Sequence, residues 1–362
     1  MSAEQTTHQA VRQDTRASSP SRVAAPGPAG ARWAGLVPGI AAAAAIAAAA
    51  TAAGGLLPVV GAPVIAIVAG IAVAGVRPVP PRMVPGVAFT SKAVLQGSIV
   101  VLGLNLSLSQ VLATGRSSLP VLIGTLVLGL AVAAVAGRIL GLRGDLQLLI
   151  GVGTAICGAS AIAATDAVID ADDADVSYAI ATIFTFNVVA VLAYPTLGHV
   201  LGLSQHAFGL WAGTAVNDMS SVVASTTVYG HGALQYGVVV KLTRTLAIIP
   251  ICLALAAWRH RQTSGLSQSA GATAVWRIFP YFIIGFVVAV AINSVGAVPA
   301  AWHQGLADVA TWMITAALAA IGLSTRPRAI RAAGAKPMVL GAVLWATVGL
   351  TSLALQSLTG GL

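Results

Sequence analysis

Gly151-Val152-Gly153-Thr154-Ala155-Ile156-Cys157-Gly158-Ala159-Ser160-Ala161-Ile162 interrupts a long apolar stretch with small and weakly polar residues. On a helix, Gly158 and Ser160 belong to a surface almost free of bulky side chains. Small residues let helices approach closely, and they also let a helix unwind and direct backbone groups at a solute. The residues leave both alternatives open, with Cys157 and Ser160 as weak hydrogen-bonding groups.

A second polar motif spans residues 209–225. Its polar side chains recur every three to four residues, at Thr214, Asn217 or Asp218, Ser221 and Ser225, which predicts one polar stripe on a helix. An ionised Asp218 deep in a membrane needs a cation, a proton or a cage of hydrogen bonds. We therefore expect Asp218 to be a coupling carboxylate or part of a solute site; the alternative is a structural pair with a nearby cation.

Two cations follow in the next apolar segment. Lys241 and Arg244 are three residues apart, so they share a helix face. Together with Asp218 they predict a positive cavity, which suits a small anion that Arg can hold with two hydrogen bonds. The alternative is that one cation neutralises Asp218 and the other extends to water.

The composition excludes a soluble protein. Of the 362 residues, 57% are hydrophobic and only 8% are charged, with a mean hydropathy of +0.90, whereas soluble domains carry about 25% charged residues. Despite the net charge of +9, no basic and aromatic face predicts binding to nucleic acid. Cys157 and Cys252 lie in apolar segments and predict no disulfide framework.

The chain divides into a predicted disordered cytoplasmic tail, 1–30, and a predicted transmembrane transporter domain, 31–362. Eleven apolar segments are each close to the roughly 20 residues that cross a hydrocarbon core. They lie near 34–53, 58–76, 93–112, 119–137, 146–168, 176–198, 207–229, 234–257, 277–297, 306–324 and 338–358. With the N-terminus in the cytoplasm, sixteen of the 19 Lys and Arg residues fall on the inner side. This bias predicts a multi-pass protein of the cell membrane with that orientation.

A faint internal repeat relates residues 89–130 to residues 308–349. Each copy has an apolar run, Gly-Leu with a hydroxyl residue, a basic turn, a proline and a second apolar run. The copies are an odd number of spans apart, so they would be antiparallel, as in transporters with inverted repeats.

The motifs of enzymes are missing from the sequence. There is no Walker A loop, HExxH or paired CxxC, and Ser160 has no neighbouring His and Asp. We therefore expect no enzyme, no metal site and no cofactor.

Several stretches resemble the YeiH-like family of multi-spanning membrane proteins, which is named for sulfate export. The resemblance covers about residues 56–358. It is carried by Gln96–Leu104, Gly153–Ile162, Phe208–Ala224, Val240–Arg244 with Pro250, and Pro280–Asn293, and Ile156–Ile162 and Lys241–Arg244 are the specific strings. Many members have His where this chain has Asn217, so a proton relay through that His is not expected here. The resemblance implies export of a small sulfur oxyanion, and a fold similar to carriers in which two broken helices cross near the midplane.

Together these features predict an all-α polytopic membrane protein of about eleven transmembrane helices, with an inverted repeat and discontinuous helices. We expect a secondary active transporter of a small inorganic or organic anion, such as sulfate or sulfite, coupled to protons or sodium. The expected substrate-binding residues are Cys157, Gly158, Ser160, Asn217, Asp218, Ser221, Lys241 and Arg244, with Ser220 beside them. The expected partners are the anion and the lipid bilayer, without nucleic acid; a homo-oligomer stays open. A passive anion channel and a membrane receptor or assembly subunit are the alternatives.

Overall fold

The computed structural model describes residues 29–56, 62–142, 144–262, 281–325 and 334–360, and this part of the chain is helical without any strand. The chain forms two units, Met1–Gly35 and Leu36–Leu362, and every contact below lies within the second. The fourteen helices of the described ranges are α1 Ala29–Leu56, α2 Ala62–Val76, α3 Val84–Gly103, α4 Leu108–Ile139, α5 Asp145–Ala155, α6 Ala159–Ile169, α7 Asp173–Val200, α8 Gln205–Ala215, α9 Met219–Tyr229, α10 His231–Thr245, α11 Ile248–Gln262, α12 Tyr281–Ser294, α13 His303–Ser324 and α14 Ala335–Thr359.

The predicted fold class, an all-α polytopic membrane protein, is confirmed. Seven helical stretches among the described residues are long and apolar enough to cross a bilayer, and four shorter apolar helices accompany them. The total of eleven spans and the inverted repeat stay predictions. Most of the predicted tail lies outside the described residues, as do the inner loops that carry Arg277 and Arg326.

Three sequence-based boundaries are wrong. The predicted segment 93–112 contains a turn at 104–107, because Ser107 accepts from the backbone N–H of Gln110 and starts α4 there. The same predicted segment also starts too late, because α3 begins at Val84 and includes Lys92 in a π-helical turn, Thr90–Val94. The segment 207–229 is not one helix, so the polar stripe predicted along it is interrupted.

Two spans are discontinuous. The first is α5 and α6, with a break at Ile156, Cys157 and Gly158, and the second is α8 and α9, with a break at 216–218. One long helix, α7, lies between them in the chain. At each break the carbonyl end of one helix, α5 or α8, is followed by the amide end of the next, α6 or α9.

Small residues hold the remaining helices close together. Gly70 on α2 and Gly322 on α13 meet backbone to backbone: a Cβ at Gly70 would lie 2.5 Å from the carbonyl oxygen of Ala319, and one at Gly322 would lie 2.4 Å from that of Ile67. A bulkier residue at either position would push the helices apart. This close approach is the packing that small residues provide inside membranes, where lipid supplies no hydrophobic force between helices.

Candidate functional site: the two helix breaks

The break between α5 and α6 depends on a glycine. Gly158 has φ +73° and ψ −134°, a conformation that is essentially restricted to glycine. Its N–H donates to the carbonyl of Gly153 at 2.8 Å, which closes the end of α5. A Cβ at position 158 would lie 3.2 Å from Cβ of Asp218 and 3.5 Å from the carbonyl carbon of Asn217. The two breaks are therefore in contact at Gly158.

The break between α8 and α9 is organised by Asp218, which is the N-cap of α9. Its Oδ1 accepts from the backbone N–H of Ser221 at 2.8 Å and from the hydroxyl of Ser220 at 2.5 Å. Its Oδ2 accepts from the hydroxyl of Ser221 at 3.1 Å and from Nδ2 of Asn187 at 2.5 Å. The carboxylate thus has the cage of hydrogen bonds that an acid at this depth requires, and it remains partly exposed.

Lys241 joins the two breaks. Its side chain, on α10, is 0% exposed, and its Nζ donates to the carbonyl oxygen of Ile156 at 3.1 Å and to that of Val216 at 2.7 Å. The last carbonyls of a helix have no partner in the helix and carry partial negative charge. One ammonium group therefore neutralises the carbonyl ends of both α5 and α8.

Arg244, one turn further along α10, completes the end of α5. It is 2% exposed. Its Nε donates to the carbonyl of Ala155 at 2.8 Å, and Nη2 donates to that of Thr154 at 3.4 Å. Three successive carbonyls at the end of α5, those of Thr154, Ala155 and Ile156, therefore accept hydrogen bonds from the two cations of α10. The buried Nη1 of Arg244 has no partner among the described residues.

The charged groups have two different kinds of hydrogen-bonding partner. Those of Lys241 and Arg244 go to main-chain carbonyls, whereas those of Asp218 come from amide and hydroxyl donors. The sequence suggested a direct pair between Asp218 and one of the cations, and the structure uses other partners for both. The cations therefore lie at the C-terminal ends of α5 and α8, which we call the carbonyl side of the breaks. Asp218 lies at the N-terminal end of α9, and we call the starts of α6 and α9 the amide side.

The amide side is the more accessible one. No side chain caps the start of α6, and Ser160, in its first turn, is exposed. Asp218 and Ser220 are partly exposed. Gly158, Asp218 and Ser221 are therefore brought together by direct contacts, and Ser160 follows Gly158 by two residues in the chain.

Two of the predicted residues, Cys157 and Asn217, are almost fully buried. Cys157 is 6% exposed; it packs against Ile248 and Cys252, and its thiol also interacts with Thr245, Lys241 and Arg244. Asn217 is 1% exposed, and its Oδ1 has no partner among the described residues. The role of all eight predicted residues in binding a substrate stays a prediction.

Asn187 is a site residue that sequence reasoning missed. It lies on α7, is 3% exposed, and holds Asp218 through Oδ2. A lone amide side chain within the apolar run 179–194 was the available signal, because a buried amide needs a hydrogen-bonding partner.

Comparison with known proteins places this arrangement in a family. A family described as conserved hypothetical protein 698 matches residues 38–341, which include both breaks and both cations. The chain belongs to this family. Its relatives include UPF0324 membrane proteins of Streptococcus pneumoniae serotype 4, 42% identical over 85% of this chain and 92% of the relative, and of Fusobacterium nucleatum, 38% identical over 85% and 93%.

These relatives are named as membrane proteins, and the chain matches them over nearly their full length. A third relative, from Streptococcus mutans, is 40% identical over 84% of this chain and 91% of its own length. No solved structure matches the chain. The names of these relatives specify a membrane protein and no solute, so the sulfate-exporter resemblance stays a prediction.

Proposed function

We propose that the protein is a secondary active transporter that exports a small anion, such as sulfate or sulfite, across the cell membrane, coupled to a proton or sodium gradient. The observation that carries the proposal is the contact between two discontinuous helices at Gly158 and Asp218. Irregular backbone at membrane depth is tolerated only where protein or a water-filled cavity surrounds it. Broken helices of this kind form the solute and ion sites of secondary transporters.

The amide side of the breaks supports an anion site. The uncapped start of α6 directs N–H groups and the positive end of a helix dipole outward, which favours an anion. The exposed hydroxyl of Ser160 adds a donor. The positive charges of Lys241 and Arg244, which are buried at the carbonyl ends of α5 and α8, raise the electrostatic potential at the start of α6.

Asp218 supplies the coupling. Its carboxylate lies at the start of α9 and beside Gly158, the residue before α6. An ionised carboxylate here repels an incoming anion, because like charges at short range in a poorly hydrated site interact strongly. Binding of a proton or a sodium ion at Asp218 removes that repulsion, so the cation and the anion bind together and cross in the same direction. Export of the anion is then driven by a cation gradient directed outward. No catalytic step is part of this proposal.

The test is sulfate transport by purified protein in liposomes under an imposed pH or sodium gradient. We expect wild-type protein to move radiolabelled sulfate against its own gradient and Asp218→Asn to lose this coupled flux. Asn caps helices as well as Asp does, so the variant should remain folded. Asp166→Asn is the matched control, since Asp166 accepts from the N–H of Ala171 at the far end of α6.

Three results would contradict the proposal. Coupled flux at the wild-type rate in Asp218→Asn would remove the carboxylate from the mechanism. Flux of wild-type protein that only ever follows the sulfate gradient would indicate a passive channel, and absence of flux together with sulfate binding would indicate a receptor.

A further inference from the structure

Neither of the two discontinuous spans is extended from end to end. In the second, the side chain of Gln205, at the start of α8, accepts from the backbone N–H of Gly232, which follows the end of α9, at 2.8 Å. The rings of Phe208 on α8 and Tyr229 on α9 are stacked, with their centroids 3.7 Å apart. A continuous helix of this length would hold its two ends about 36 Å apart. The helices α8 and α9 therefore form a hairpin, which we call the second hairpin, with its tip at 216–218.

The helices α5 and α6 form a matching hairpin, which we call the first hairpin. A Cβ at Gly153, near the end of α5, would lie 2.9 Å from the side chain of Ile162 on α6, so the two helices pack side by side. The carboxylate of Asp175, at the start of α7, interacts with the backbone N–H of Leu146, at the start of α5. Asp175 follows the last residue of α6, Ile169, by six residues, which reach at most about 21 Å. A continuous helix from 146 to 169 would be about 35 Å long, so α6 returns beside α5.

The bases of the two hairpins lie at opposite ends of α7. Asp175 joins the start of α7 to the base of the first hairpin. Near the other end of α7, the ring of His199 lies 4.4 Å from that of Tyr229, at the base of the second hairpin. The 28 residues of α7 are apolar enough to cross a bilayer, and they extend about 42 Å. The two hairpins therefore start from opposite faces of the membrane.

The tips of the hairpins reach the middle of the membrane. Each of the four arms has 11 residues and is about 16 Å long, which is half of a hydrocarbon core about 30 Å thick. The tips meet at Gly158 and Asp218, and Asn187, in the middle of α7, holds Asp218. Irregular backbone at this depth must be surrounded by protein or water. Ile156 and Val216, at the two tips, are 0% exposed, and their carbonyls accept hydrogen bonds from α10.

The basic residues that predicted eleven crossings do not distinguish a hairpin from a span. The sequence has no Lys or Arg between Arg143 and Lys241. Two hairpins in place of two crossings therefore move no basic residue to the other face, and the bias of charge between the faces is unchanged. The predicted eleven crossings become nine, and the acidic loop 170–175 comes to lie on the same face as Arg138 and Arg143.

We propose that α5–α6 and α8–α9 are re-entrant hairpins that enter the membrane from opposite faces and meet at their tips, so that the site at Gly158 and Asp218 lies between them at mid-membrane. Opposed elements that meet near the midplane are typical of transporters with inverted repeats. The proposal holds whether or not the protein transports an anion. Under the proposed transport function, a solute approaches the site beside the first hairpin from one face and beside the second hairpin from the other.

Cysteine labelling of intact cells that express the full-length protein tests the proposal. Four exposed positions bracket the hairpins: Ile139→Cys and Ala174→Cys lie before and after the first, and Leu201→Cys and His231→Cys lie before and after the second. A membrane-impermeant maleimide is applied before and after the membrane is permeabilised. We expect the two members of each pair to be labelled from the same face. One pair should be labelled in intact cells, and the other pair only after permeabilisation.

Wild-type protein is the control, because Cys157 and Cys252 are 6% and 2% exposed and should stay unlabelled. Thermal melting verifies folding, and the exposed positions Asp172→Cys and Val200→Cys replace Ala174→Cys and Leu201→Cys if either variant is unstable. A pair whose members are labelled from opposite faces, or two pairs that are labelled from one face, would overturn the proposal. The labelling involves no flux, so its outcome is independent of the transport proposal.

Discussion

Replacing Lys241 with methionine should destabilise the protein without changing side-chain volume greatly. The variant leaves the carbonyls of Ile156 and Val216 without their donor. A buried acceptor that loses its partner costs about 1–3 kcal/mol, so two of them cost about 2–6 kcal/mol. The variant also avoids burying an ammonium group, and the cost of desolvating an ion is several kcal/mol. Because this gain offsets much of that cost, we expect a net loss of at most about 2 kcal/mol.

The assay is reversible unfolding in mixed detergent micelles, followed by tryptophan fluorescence. Trp211, on α8, is 4% exposed, packs in a hydrophobic cluster with Tyr194 and Phe208, and reports the packing of that helix. Lys336→Met, at an exposed position at the start of α14, is the matched control and should stay within about 0.5 kcal/mol of wild type. If Lys241→Met unfolds at the wild-type detergent concentration, the two carbonyls do not depend on the amine and the account of the breaks is wrong.

Three further outcomes follow from the same contacts. Gly158→Ala should cost about 1–3 kcal/mol of backbone strain and abolish coupled sulfate flux, whereas Gly144→Ala, at φ +81° with open space around it, should show a similar strain in thermal melts and keep its flux. Thr214→Val and Ser352→Ala each remove one partner of a buried 2.6 Å hydrogen bond and should each cost about 1–3 kcal/mol, with the double variant costing less than the sum; additive losses in the unfolding assay would contradict this. Arg244→Ala should abolish sulfate flux in liposomes; unchanged flux would remove the guanidinium from the site.

The first break was predictable because the residue types at this position cause it. Gly158 and its small neighbours remove the steric penalty for leaving the helical conformation, and the resemblance pointed to the same stretch. The second break was missed because the polar residues around Asp218 also fit one face of a continuous helix. The available signal was Asp218 placed before Ser220, Ser221 and an apolar run, which is the pattern of an N-cap.

The partners of the cations could not be predicted in the same way. Spacing placed Lys241 and Arg244 on one face of a helix, and it offered Asp218 or an anion as counter-charge. Their actual acceptors are backbone carbonyls, which every residue possesses and which become available only where a helix ends. Ser107 and Gln110 show the opposite case, because the capping box that starts α4 is visible in the sequence as their Ser-x-x-Gln spacing.

The shared amine of Lys241 has a mechanical consequence. Two hydrogen bonds from one amine join the two interrupted segments, so displacement of one segment draws the other with it as long as these bonds hold. Under the proposed transport function, the inward-facing and outward-facing shapes should then differ by a joint movement of both segments.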